Sequence, residues 1–214
     1  MKVAVFAGTY GDTKMGEEIL EEEGFETLSY PISKNPKEQS RLQYYSREEL
    51  TTIVKEKVVD AKKKGAEKIF IYCNSLSISI DVKSIENSQD IEIITPIDFY
   101  KNLDDSYKNI IILAANSKSA HEIDKIISEK RFRDTISIGI LPLVEEIEKK
   151  ENPEEIVKKL GLEKLFQFFN SIEEVPDAII LACTHFPYMK KEFEKLTDIK
   201  ILDPADGMVE RLKS

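Results

Sequence analysis

Short apolar runs, each closed by glycine or small polar residues, alternate along this chain with stretches of helical period. The first run, 2–7, stops at Gly8-Thr9-Tyr10-Gly11 and predicts a strand covered on both faces. Asp12 or Thr13 is the expected cap of the helix that follows, which ends near Gly24. Residues 25–30 alternate as a second strand, and 31–43 is polar, carries two prolines and predicts a long loop. Ser46 with Glu49 has the form of a capping box, and Leu50, Ile53, Val54, Val58 and Ala61 make a helical stripe ended at Gly65. Strands are expected over 67–72 and 91–95, with a short helix over 79–88 between them.

The second half repeats the plan. Strands are expected over 109–114, 135–141, 176–181 and 199–202. Helices are expected over 119–130, from Leu143, over 152–172 with a break at Gly161, and over 206–212. Val5-Phe6-Ala7-Gly8-Thr9 is echoed by Leu113-Ala114-Ala115-Asn116-Ser117. This alternation predicts an α/β fold of two pseudo-symmetric three-layer lobes with mainly parallel sheets. The expected lobes are 1–98 plus 206–214 and 99–205, with the active site in the cleft between them, beyond the carboxyl ends of the strands.

Composition narrows the partners. The chain has 214 residues, 41% hydrophobic, and a net charge of −9 from 40 acidic and 31 basic side chains. That balance argues against a nucleic-acid partner, which needs clustered positive charge. No apolar run approaches the roughly 20 residues of a membrane span, so the expectation is a cytoplasmic protein without a membrane partner. Two cysteines and two histidines lack zinc-site spacing, so no metal is expected.

The only two cysteines, Cys73 and Cys183, each follow an apolar strand and precede small polar residues. One buried cysteine is most often inert. Two in matched contexts suit acid–base work from opposite faces of one carbon. Asn74, Ser75 and Thr184 suit a carboxylate, with helix capping as the plain alternative. His185, two residues after Cys183, is placed to tune it. Glu145 and Asp12 are either charge partners of the thiols or ordinary acids of a first helical turn.

Cys73-Asn74-Ser75 and Cys183-Thr184-His185-Phe186-Pro187-Tyr188 resemble the two cysteine motifs of the aspartate/glutamate racemase superfamily. Pro142-Leu143-Val144-Glu145, Asp203-Pro204-Ala205 and Asn116-Ser117-Lys118-Ser119 add to the likeness. The resemblance implies cofactor-free racemisation of an acidic amino acid, such as aspartate or glutamate, and a homodimer. It makes Cys73 and Cys183 the two acid/base residues, with Glu145 and His185 assisting the second. It makes Asn74, Ser75 and Thr184 substrate contacts, with Asn116, Ser117 and Ser119 as further ones. Glutamate racemases carry Asp-Ser-Gly where this chain has Ala7-Gly8-Thr9; Thr9 then replaces the serine, and Asp12 stands in for the acid. The alternatives are a hydantoin racemase or maleate isomerase-like relative, and a non-catalytic small-molecule-binding protein. The 33–41 and 77–81 regions are expected to set side-chain preference.

Overall fold

Two sheets of four parallel strands, ordered alike, carry the fold. They are seen in a computed structural model that describes residues 1–33, 38, 44–129 and 133–214. The chain divides into a first unit, Met1–Asp98 with Ala205–Ser214, and a second, Phe99–Pro204.

In the first unit the sheet order is β2 (Glu26–Pro31), β1 (Lys2–Ala7), β3 (Lys68–Ile71), β4 (Glu92–Ile94). The central strands are apolar on both faces because both faces are covered. Ala4, Phe6, Ile69, Ile71 and Ile93 pack into one buried cluster with Leu50, Val54 and Val58 of α2 (Arg47–Lys63). Val3, Val5, Phe70 and Ile94 alternate to the other side. There they meet Leu20 of α1 (Tyr10–Glu22) and Met208, Val209 and Leu212 of the terminal helix, Pro204–Lys213.

The start of α1 departs from expectation. Thr9, not Asp12 or Thr13, is the cap. Its hydroxyl accepts from the Asp12 amide at 3.3 Å, and the Asp12 carboxylate accepts from the Thr9 amide at 3.0 Å. This reciprocal box places Asp12 at the third helical position, where an acid also complements the helix dipole. The helix expected over 79–88 is α4 (Val82–Gln89), capped by Asp81, and an unexpected short helix, α3 (Asn74–Ser79), precedes it. Most of the 33–41 region lies outside the described residues.

The second unit repeats the order with β6 (Asp134–Gly139), β5 (Asn109–Ala114), β7 (Ala178–Ala182), β8 (Lys200–Leu202). Its chain begins within α5 (Pro96–Lys101), which follows β4. Asn116 caps α6 (Ser117–Ser128) by accepting from the Ser119 amide at 2.9 Å. Three helices follow β6: α7 (Leu141–Glu148), α8 (Pro153–Leu160) and α9 (Leu162–Asn170). Gly161 separates the last two at φ 64°, a left-handed conformation open to glycine at little cost. Phe166, Phe169 and Phe193 pack with Ile111, Leu113, Ile179 and Leu181 in one buried cluster. Among the described residues no helix is long and apolar enough to cross a membrane.

Candidate functional site

The two thiols end the inward alternation of the third strand in each sheet. Ile69 and Ile71 lead to Cys73, and Ile179 and Leu181 lead to Cys183; each cysteine belongs to its strand's buried cluster and is 5% exposed. Both are free thiols.

Around Cys73 the backbone turns from β3 into α3. The Cys73 carbonyl accepts from both the amide (3.1 Å) and the hydroxyl (2.7 Å) of Ser77. That leaves the side chain to meet Ser75, whose Oγ lies 3.5 Å from Sγ. Asn74 is buried and Ser75 half-buried. Gly16 of α1 faces Tyr72, the residue before the thiol, so closely that a Cβ there would lie 2.9 Å from the Tyr72 Cβ. A glycine inside a helix costs about 1 kcal/mol relative to alanine; here it lets α1 close on the strand end. Thr9 and Asp12 are both buried on the first turn of that helix.

Around Cys183 the chain folds back on itself. The Phe186 amide donates to the Cys183 carbonyl at 3.0 Å, and residues Phe186–Met189 form a single 3₁₀ turn with Pro187 near its start. This carries the His185 ring over the thiol, with Nδ1 3.7 Å from Sγ. His185 Nε2 lies 3.6 Å from Oε1 of Glu148. Glu145 is exposed one turn earlier. Glu146 is buried and held by Lys149 at 2.8 Å and Lys159 at 2.5 Å, hydrogen bonds that keep its carboxyl below the usual carboxylate range. Of the acids of α7, Glu148 is the one that pairs with the imidazole. The Tyr188 hydroxyl donates to the Glu151 carbonyl at 3.0 Å, tying the 3₁₀ turn to the segment after α7. Thr184 is buried between thiol and imidazole in sequence. Asn116 is half-buried, Ser117 exposed and Ser119 buried at the start of α6.

Tyr100 was not legible as part of this neighbourhood, because it lies far from Cys183 in sequence. It is buried on α5. Burial, then the nearby charges of Asp203 and Cys183, push its phenol well above the ordinary range. The neutral phenol is thus favoured in the folded chain. A group with a raised folded pKa contributes stability in full below its unfolded value, about 10 for tyrosine. That contribution fades as pH climbs from there through the folded value. Urea melts from pH 8 to 11 are expected to show a steeper alkaline loss of stability in the wild type than in Tyr100→Phe. Equal slopes would remove Tyr100 as the cause.

No family model matches the chain. The glutamate racemase of Buchnera aphidicola is 29% identical over 164 residues, covering 73% of this chain and 64% of the relative. That of Clostridium perfringens is 30% identical over 157 residues, covering 71% and 59%. The chain thus spans under two thirds of the length of these curated relatives. The crystal structure of glutamate racemase from Campylobacter jejuni matches with a TM-score of 0.70 at 22% identity, covering all of this chain and 85% of that one. An aspartate racemase homologue from Pyrococcus horikoshii matches at 0.70 and 16%, with each chain covered in full. The chain is similar in sequence to glutamate racemases and shares the fold of the solved glutamate and aspartate racemase homologues. The shared architecture is the α/β fold of two parallel sheets. Among the described residues no cluster of His, Cys, Asp and Glu is arranged to hold a metal ion.

Proposed function

We propose that this protein is a cofactor-independent racemase of an acidic amino acid, with Cys73 and Cys183 as the two acid/base groups. The observation that carries the reading is the repeated placement of a buried thiol at the carboxyl end of the third strand in two sheets of identical order. One thiolate removes the α-proton, and the opposite thiol delivers a proton to the other face, so configuration inverts without a redox change. Positioned acid–base catalysis supplies about 10²–10⁴-fold, and orientation and electrostatic stabilisation supply the rest.

In this reading Asn74, Ser75 and Thr184 hold the substrate's carboxylate and amine, and Thr9, Asn116, Ser117 and Ser119 complete the polar lining. His185 exchanges a proton with Cys183 and Glu148 orients it; Asp12 supplies a buried acid on the Cys73 side. The names of the relatives support glutamate or aspartate as substrate, and the solved glutamate racemase from Francisella tularensis is described in complex with D-glutamate. Free thiols suit the reducing cytoplasm, and the reading includes a homodimer.

The test is solvent deuterium incorporation at the α-carbon across L- and D-amino acids, followed by NMR. Exchange accompanied by racemisation of glutamate or aspartate is the expected result. Exchange confined to hydantoins, or isomerisation of maleate, would replace the proposed reaction with a relative's. Binding without exchange would remove catalysis altogether.

A further inference from the structure

We infer that Gly139 is a positioning residue, which sets the height of the Asn116–Ser117 turn and so the fit of that polar lining to the substrate; this rests on the racemase reading above. Gly139 is the last residue of β6 and pairs with Ala114, the last of β5. From Ala114 the chain rises through Ala115 into the Asn116 cap of α6. A Cβ on Gly139 would lie 2.2 Å from both the carbonyl carbon of Asn116 and the amide nitrogen of Ser117, and 2.8 Å from the Asn116 Cα. Carbon atoms in contact sit about 3.5–4.0 Å apart. Every atom in the overlap is backbone, so no rotamer change relieves it. The turn would have to lift by more than about 1 Å.

The rest of the strand face shows why the turn sits so low. Side chains at 135, 137 and 139 share one face of β6. Thr135 donates to the Asp124 carboxylate of α6, so that face meets the helix. Between them the Ser137 hydroxyl oxygen is buried, with no hydrogen-bond partner among the described residues, so strand and helix close over it. The helix is thus pinned to the strand at one end and lowered onto a glycine at the other. The first unit offers an internal comparison. There Ala7 pairs with Pro31, and the Ile32 amide donates to the Ala7 carbonyl as the Ile140 amide donates to Ala114. A side chain is accommodated at Pro31, so the glycine answers to the low Asn116 turn and not to the strand order itself.

A binding constellation tolerates displacements of about 0.5 Å. Lifting the turn by twice that weakens ground-state and transition-state binding alike, which raises KM more than it lowers kcat. Gly139→Ala is expected to raise KM for the racemised substrate at least about tenfold, with kcat within about threefold of wild type. Ser137→Ala, on the same seam but away from the turn, is expected to leave KM unchanged. Amide hydrogen exchange of Ser119, whose N–H donates to Asn116, reads the turn without reference to catalysis and should quicken in Gly139→Ala alone. If Gly139→Ala does not fold, Asn116→Asp decides. It keeps a competent cap but sets a negative charge in the lining against the anionic substrate, and KM should again rise at least about tenfold. A wild-type-like KM in a folded Gly139→Ala, or in Asn116→Asp, overturns the inference while leaving the racemase reading intact. Unchanged Ser119 exchange in Gly139→Ala also overturns it. A wild-type protein that neither racemises nor exchanges sinks the racemase reading itself.

Discussion

Cys73→Ser and Cys183→Ser will each abolish racemisation, with a loss of at least about 10³-fold, yet each will still wash the α-proton out of one enantiomer. The two variants will differ in which enantiomer that is. A serine hydroxyl has no usable conjugate base near neutral pH, so the mutated side neither removes nor delivers a proton. The surviving thiol still deprotonates the enantiomer whose α-hydrogen faces it, and returns a solvent proton to the same face. Exchange then proceeds without inversion. Deuterium incorporation with each pure enantiomer in D₂O, scored beside optical rotation, reads both quantities at once. Full racemisation by either variant in both directions would end the two-base mechanism. Loss of exchange with both enantiomers in both variants would point instead to one thiol acting with a different partner.

The reason these two cysteines were legible from sequence is the strand period. In β3 and β7 the apolar alternation runs on through the strand end, so parity alone puts 69, 71 and 73 on one face, and 179, 181 and 183 likewise. Parallel order followed from central strands that are nearly continuous apolar runs, because only sheets covered on both faces bury them so completely. What the sequence withheld was the choice among equivalent neighbours. Thr9, Asp12 and Thr13 all have capping chemistry, and only the reciprocal pair of hydrogen bonds selects Thr9. The stretch Asn74–Ser79 reads as a polar turn because a six-residue helix has too few residues to show a period. Gly139 looks like any strand-ending glycine until the Asn116 backbone is seen above it. In α7, Glu145, Glu146 and Glu148 fall within four residues, and rotation of the helix decides which of them meets a ring on another segment.

That last choice carries a large expected effect. His185→Asn will lower kcat/KM by about 10²–10³-fold, Glu148→Gln by about tenfold, and Glu145→Gln by less than twofold. The imidazole is 3.7 Å from Cys183 Sγ, within reach for a sulfur partner, and in the proposed mechanism it exchanges a proton with the thiol directly. Glu148 acts one step removed. Its carboxylate is 3.6 Å from Nε2, too long for a strong direct hydrogen bond, and its side chain is 30% exposed. Water therefore screens the pair, and the carboxylate orients the ring more than it charges it. Glu148→Asp, which keeps the charge but shortens the reach, should fall between wild type and Glu148→Gln. Because this machinery belongs to one thiol, the losses should be greatest for exchange of the enantiomer that Cys183 deprotonates. Exchange of the other enantiomer, begun by Cys73, should be least affected. Measuring initial exchange rates for both enantiomers in each variant gives the decisive pattern. Equal losses for both enantiomers would assign His185 a general structural role. A Glu145→Gln defect as large as that of Glu148→Gln would return the acid's place to Glu145.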